Sequence, residues 1–243
     1  MSAELSVNAL KAALRAGQPQ IGLWSTLASP VAAEIIVGAG FDWVLLDTEH
    51  APNDVTDIHR LLQATQGNAT SVVVRPSWND AVLFKRLLDI GVRSFVVPFV
   101  QSAAEASRAV AATRYPPAGI RGVATTTRAN QYGRVKDYLR RANDEICVIV
   151  QIETRQALDS IDAIAAVDGV DGLFIGPSDL AADLGHLGNN AHPDVRAAID
   201  EAIGRIRAAR KAPESARPLV EAQARALSSP PKVKRSAMVP KPA

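Results

Sequence analysis

Glu153 and Asp179 stand 26 residues apart, about the length of one strand–helix repeat. If each follows one of two neighbouring parallel strands, the carboxylates lie side by side. Two hard oxygen donors with other positions left open suit Mg²⁺ or Mn²⁺, which keep water or substrate oxygens in the remaining sites. The alternative is that Glu153 pairs with Arg155 or another nearby cation while Asp179 caps the turn that follows it. His50 comes just after Asp47 and Glu49. It could work as a general base near neutral pH with a carboxylate fixing its tautomer, or serve as a strand-end hydrogen-bonding group. Arg75 closes a Ser-Val-Val-Val run. Its permanently charged fork suits a carboxylate or a developing oxyanion, and equally an ion pair with Asp47 or Glu49. Asp89 falls late in a helical run, where the helix dipole disfavours a carboxylate, so it has a specific partner or faces solvent. His59 lies in a polar-faced helical run and His186 and His192 in a Gly/Asn-rich loop. None has metal-ligand spacing with another, and all three read as surface residues. Schiff-base chemistry needs a lysine at a strand end. Lys11, Lys85, Lys136 and Lys211 fall in helical runs and the other three near the C-terminus, so a lysine aldolase is not expected.

The elements that must position these residues read as alternating strands and helices. Strands are expected at Ile21–Ser25, Trp43–Asp47, Ser71–Arg75, Ser94–Pro98, Ile146–Ile152 and Gly172–Ile175. Helices are expected at Pro30–Gly38, Val55–Gln66, Asp80–Ile90, Ser102–Thr113, Arg134–Asn143, Arg155–Val167 and Pro193–Ala209, with left-handed caps at Gly38, Gly67 and Gly91. The strands are near-continuous apolar runs, as in parallel sheets covered on both faces. Such repeats build a doubly wound sheet or a (β/α)8 barrel. No Gly-x-Gly-x-x-Gly follows the first strand. The polar clusters Asp47–His50, Arg75–Asp80, Gln151–Glu153 and Gly176–Asp179 all sit just past strand ends, where barrel enzymes build their sites. Both facts favour the barrel. Ser6–Ala16 reads as a helix plugging its other end.

The chain has 243 residues, 47% of them apolar and 21% charged, with a formal charge of +2. That is an ordinary globular composition with little pull toward nucleic acid or membrane. A single cysteine, Cys147, excludes an internal disulfide and a cysteine-built metal site. No signal peptide or membrane span is expected, and the cytoplasm is the default compartment. Residues 214–243 differ: five prolines and six Lys/Arg against two acids, with no strand signal. They read as a disordered, solvated tail, with a nucleic-acid-contacting arm as the lesser alternative. Only about six βα units are therefore visible, so residues 1–213 read as an incomplete barrel domain.

Taken in order, Phe41–Asn53 (FDWVLLDTEHAPN), Arg75–Asn79 (RPSWN), Arg114–Gly122 (RYPPAGIRG), Gln151–Thr154 (QIET) and Gly176–Leu180 (GPSDL) resemble the metal-dependent class II pyruvate aldolases. These are the 4-hydroxy-2-oxoheptanedioate and 2-dehydro-3-deoxyglucarate aldolases, and the resemblance spans about residues 8–213. It implies a (β/α)8 barrel assembled as a homo-oligomer, typically a hexamer exchanging C-terminal helices. It implies Glu153 and Asp179 as ligands of a divalent metal, Mg²⁺ or Mn²⁺ with Co²⁺ a further candidate. It further implies Arg75 as the residue steadying a pyruvate enolate, and His50 with Asp89 as an acid/base dyad working through water, supported by Asp47. The backbone of Gly176, Pro177 and Ser178 would hold the pyruvate carboxylate, with Gln151 just behind. The substrates would be 2-oxo acids and aldehydes. Arg75–Asn79 leans toward the oxoheptanedioate branch, giving succinic semialdehyde and a place in aromatic catabolism; Gly176–Gly188 leans toward the deoxyglucarate branch. After Pro213 the family would continue with two more strands and the exchanged helix, and this chain departs. A truncated, non-catalytic remnant is the remaining alternative.

Overall fold

The computed structural model describes residues 4–209, so the expected tail at 214–243 lies outside the described residues. Six strands run parallel and in sequence order: β1 (Gly22–Ser25), β2 (Trp43–Asp47), β3 (Ser71–Arg75), β4 (Ser94–Val97), β5 (Cys147–Ile152) and β6 (Gly172–Ile175). Consecutive order is that of a (β/α)8-type barrel; a doubly wound sheet would reverse direction part-way. Among the described residues no pairing joins β6 back to β1. The helices are α1 (Ala9–Arg15), α2 (Pro30–Val37), α3 (Val55–Ala64), α4 (Ala81–Asp89), α5 (Ala103–Thr113), α6 (Tyr138–Arg141), α7 (Arg155–Asp159), α8 (Ile161–Ala165), α9 (Pro177–Asp183) and α10 (Pro193–Ala208). None among the described residues is long and apolar enough to cross a membrane.

Period-two alternation along the strands sorts their side chains into two cores. Val44, Leu46, Val74, Phe95, Val97, Val148, Val150, Ile152, Leu173 and Ile175 point outward and pack under the helices. Trp43, Leu45, Val73, Val96, Cys147 and Ile149 point inward, with Trp24 and Phe174 beside them. Leu10 and Leu14 of α1 complete that inner core, so the N-terminal helix plugs the barrel as expected. Helix starts are set by side chains that accept orphan backbone N–H groups: Ser29, Asp54, Asp80, Ser102 and Thr154 each cap the helix after them.

Several elements differ from the sequence expectation. The run Arg155–Val167 is two short helices broken at Ser160. Arg205 of α10 donates to the Leu158 carbonyl at 2.8 Å and to that of Asp159 at 3.3 Å, which satisfies backbone acceptors at the end of α7. Arg134–Asn143 contracts to α6 and a 3₁₀ turn, because Tyr138 and Val135 pack with Leu5, Tyr115 and Ala142 in a cluster of their own. Gly38 ends α2 in a right-handed conformation, φ −78°, and the left-handed residue is Gly40 at φ +86°. Gly67 and Gly91 are left-handed as expected. Helix α9 was not anticipated; Pro177 supplies its preset first position.

Candidate active site

Register places the first pair. Asp47 and Arg75 are the last residues of β2 and β3 and are direct neighbours across the ladder, both pointing inward. Arg75 Nε donates to Asp47 Oδ1 at 2.8 Å and Nη2 to Oδ2 at 2.6 Å, a two-bond fork. Nη1 lies 2.8 Å from Glu49 Oε2, a charge contact that leaves Oε2 without an aligned hydrogen-bond donor. Trp24, on β1, covers the guanidinium with its ring at 4.6 Å and donates its indole N–H to Asp47 Oδ2 at 3.3 Å. Burial pushes the Asp47 carboxyl up, but hydrogen bonds from Arg75 and from the Glu49 N–H, together with the Arg75 charge, outweigh it and hold the group below its ordinary range. The neighbouring Glu49 is raised, since burial exceeds the pull of Arg75.

The second group forms where β5 and β6 end. Glu153 follows β5 and is only 2% exposed. The Phe99 N–H donates to its Oε1 at 2.7 Å, and Gln151 Nε2 donates to its Oε2. Phe99 is held in the left-handed region at φ +55°, uncommon for a large side chain, and its ring stacks on Trp78 at 5.7 Å. Gly176, just after β6, faces Glu153: a Cβ there would sit 2.7 Å from Glu153 Oε2 and 3.0 Å from Gln151 Nε2. A glycine is thus required for β6 to pass so close to the carboxylate. Burial above all, with the charges of Asp179 and Glu49 adding to it, raises Glu153 to about 7 despite the Gln151 and Phe99 bonds. Asp179 lies in the first turn of α9 and acts on both Glu49 and Glu153, which puts it at the same mouth.

Among the described residues no ion pair joins a cation to Glu153, the carboxylates of Asp179 and Glu49 add negative charge beside it, and Gln151 Oε1 is buried without a partner. This donor set fits a hard divalent cation, which would reverse the electrostatic cost of gathering these groups.

The structure therefore brings Asp47, Arg75, Gln151, Glu153, Gly176 and Asp179 to one face, with Pro177 and Ser178 in the first turn of α9. His50 lies beside them, its side chain 63% exposed and 3.9 Å from Glu49 Oε2. Asp89 is not part of this group. It ends α4, which runs back toward the strand starts, and its Oδ1 lies 3.6 Å from the buried Arg121. The contacts recorded for the expected His50–Asp89 dyad are separate, His50 near Glu49 and Asp89 near Arg121, the one following a strand and the other ending a helix. Sequence reasoning passed over Trp24, Trp78 and Phe99. Trp24 was findable as the inward residue near the end of β1; the left-handed turn at Phe99 carries no sequence signal, since glycine or asparagine is the usual occupant. Clefts of about 350 and 470 Å³ open at the other end of the barrel, around Asn68, Gly91 and Arg128, away from these groups.

Comparison with known proteins agrees with the geometry. A model of the HpcH/HpaI aldolase/citrate lyase family matches residues 20–223. The 4-hydroxy-2-oxo-heptane-1,7-dioate aldolase of Salmonella dublin is 58% identical over 207 residues, covering 85% of this chain and 79% of the relative. Its Escherichia coli counterpart is 56% identical over the same span. Among solved structures, an HpcH/HpaI aldolase/citrate lyase family protein from Burkholderia cenocepacia J2315 superposes with a TM-score of 0.81 at 38% identity, covering 91% of this chain and 98% of that one. The HpcH/HpaI aldolase from Desulfitobacterium hafniense DCB-2 gives 0.76 at 35%, covering 82% and 78%. With the family model, these relatives and the strand order in agreement, the chain belongs to the HpcH/HpaI aldolase/citrate lyase family of carbon–carbon lyases.

Proposed function

We propose that this chain is a divalent-metal-dependent aldolase that reversibly cleaves a 4-hydroxy-2-oxo acid to pyruvate and an aldehyde. The observation that carries the reading is the buried Arg75, clamped by Asp47, at the same mouth as the buried Glu153, beside which Asp179 and Glu49 add negative charge. The names of the Salmonella and Escherichia relatives favour 4-hydroxy-2-oxoheptanedioate as substrate, with succinic semialdehyde as the aldehyde.

In this reading Glu153 and Asp179 hold Mg²⁺, Mn²⁺ or Co²⁺. When bound, such an ion supplies Lewis-acid polarisation of the 2-oxo group. Arg75 has N–H donors beyond those committed to Asp47 and Glu49, and these stabilise negative charge on the enolate oxygen. Asp47 prevents the guanidinium from swinging away, so the donor is in place before charge develops. The backbone of 176–178 takes the pyruvate carboxylate, and Gln151 keeps Glu153 oriented. His50, exposed and near Glu49, exchanges a proton with the 4-hydroxyl through water. Trp78 and Phe99 form an apolar ledge at the rim.

Pyruvate alone in D₂O tests the enolate machinery without any aldehyde. Loss of the methyl proton signal should require added Mg²⁺ or Mn²⁺, stop with EDTA, and be about 10³-fold slower in Glu153→Ala, the scale of losing the charge stabilisation that group anchors. Exchange surviving in Glu153→Ala would sink the ligand assignment. A folded wild-type chain with no exchange would favour the remnant reading.

A further inference from the structure

The loop after α9 was expected to carry two unrelated surface histidines, yet folding brings them together with an acid. His186 Nε2 lies 3.2 Å from Asp194 Oδ2, and His192 Nδ1 lies 3.7 Å from the same oxygen. Ligand atoms of all three residues fall within 4.8 Å of one another, the group of this kind found among the described residues. The two imidazoles stack at 3.5 Å with 15° between their planes. Both histidine side chains are half-buried, while Asp194 is 71% exposed, so the group opens to solvent on the carboxylate side. The spacing in sequence hid this, because the chain reverses between α9 and α10 and His186 meets the first turn of the next helix.

We propose that His186, His192 and Asp194 form a second metal site, separate from the carboxylate mouth and selective for a borderline transition metal, Zn²⁺ above all. The donor types decide the class. Two imidazoles and one carboxylate suit Zn²⁺, with Ni²⁺ and Cu²⁺ as competitors, whereas Mg²⁺ and Mn²⁺ favour oxygen-only sets such as Glu153 with Asp179. Zn–N and Zn–O bonds of about 2.0–2.2 Å in a tetrahedron set donors roughly 3.3 Å apart. The two contacts to Asp194 Oδ2 are already near that value, but an imidazole binds a metal in its ring plane, so one ring must rotate out of the stack for both nitrogens to reach the ion. Three protein ligands leave the fourth position to water.

His192 Nδ1 also accepts the Asp194 N–H at 3.2 Å and so caps α10. Metal and cap compete for that nitrogen, which makes the site reversible rather than permanently filled. Asn190, between the histidines, donates to Ser178 Oγ at 3.1 Å. An occupied site therefore fastens the loop against the first turn of α9, one residue from Asp179.

The test uses the full chain carrying Glu153→Gln and Asp179→Asn, so that the carboxylate pair no longer contributes. Equilibrium dialysis against Zn²⁺ should find one bound equivalent, and Co²⁺ in its place should give the visible absorption of a four-coordinate ion. Adding His186→Ala, which leaves the His192 cap of α10 in the chain, should weaken Zn²⁺ binding at least fivefold. His192→Asn keeps a capping side chain and removes the imidazole, so it guards against a folding artefact and should show the same loss. Failure of the starting variant to bind one equivalent, or a smaller change in both histidine variants, overturns the site. The outcome does not depend on whether the chain is an aldolase.

Discussion

The two ends of this barrel both bury charged residues, and they treat them in opposite ways. At the base, Lys11 donates to the Ile146 carbonyl at 2.6 Å and lies 3.6 Å from Asp171, with Arg15 3.7 Å away on the other carboxylate oxygen. The Val148 N–H supplies a further bond to Asp171 at 3.0 Å. Burial raises Asp171, but its charged neighbours Lys11 and Arg15 oppose the shift. At the mouth, burial raises Glu153 too, and there the neighbouring charges are Asp179 and Glu49, which add to the shift. One end is closed on itself. At the other, like charges add to the cost of burial. A fold does not gather acids in this way for stability, so the imbalance marks where the chemistry is expected.

The largest expected effect comes from removing Arg75, the guanidinium that the mouth buries. Arg75→Met strands Asp47 in a buried position, which should cost about 3–5 kcal/mol of stability. It should also lower metal-dependent pyruvate exchange by about 10²–10³-fold. Adding Asp47→Asn should return much of the stability and none of the exchange, as followed by denaturant melts beside the D₂O assay. If exchange returned as well, Arg75 would be structural only and the comparison would fail.

Lys11→Met makes the matching change at the base. Arg15 remains near Asp171, so the loss should fall at the low end of about 3–5 kcal/mol. Exchange per folded molecule should be unchanged. A selective loss of activity in a variant of normal stability would show that the base also serves the reaction.

A smaller effect separates the two ends by pH. The Glu153 carboxyl moves from 4.5 to about 7 on folding, so between those values the folded chain holds a proton that the unfolded chain has released. Its contribution to metal-free stability therefore falls as pH rises through that window. Glu153→Gln should remove this part of the slope. Mn²⁺ affinity should run the other way, tightening as pH rises through about 7, because the ligand must be deprotonated. Parallel wild-type and Glu153→Gln stability profiles would break the assignment of a strained carboxylate at the mouth.

Much of this architecture is legible in the sequence because it rests on local rules. Apolar runs of five or six residues such as Trp43–Asp47 and Cys147–Ile152 read as strands covered on both faces, and the left-handed glycines Gly67 and Gly91 mark helix ends. The strand-end polar clusters point to the mouth for the same reason: a charged residue ending an apolar strand must sit where the barrel opens. The readings that depended on distant partners were the ones that moved. The break at Ser160 depends on Arg205 in α10, the short α6 depends on Leu5 and Tyr115, and Asp89 is directed to Arg121 by the course of its helix. His186 and His192 read as separate surface residues until a chain reversal stacks them.

The sequence by itself determined the βα periodicity, the plug helix, the identity of the charged residues and the face they occupy, since these follow from periodicity, burial and capping within a few residues. Tertiary structure alone decided which charges neutralise one another. Only ladder register sets Arg75 against Asp47, and only the close passage of β6 at Gly176 packs backbone against a Glu153 that burial and neighbouring acids raise. Electrostatic balance depends on distances between residues far apart in the chain, and no local pattern encodes them.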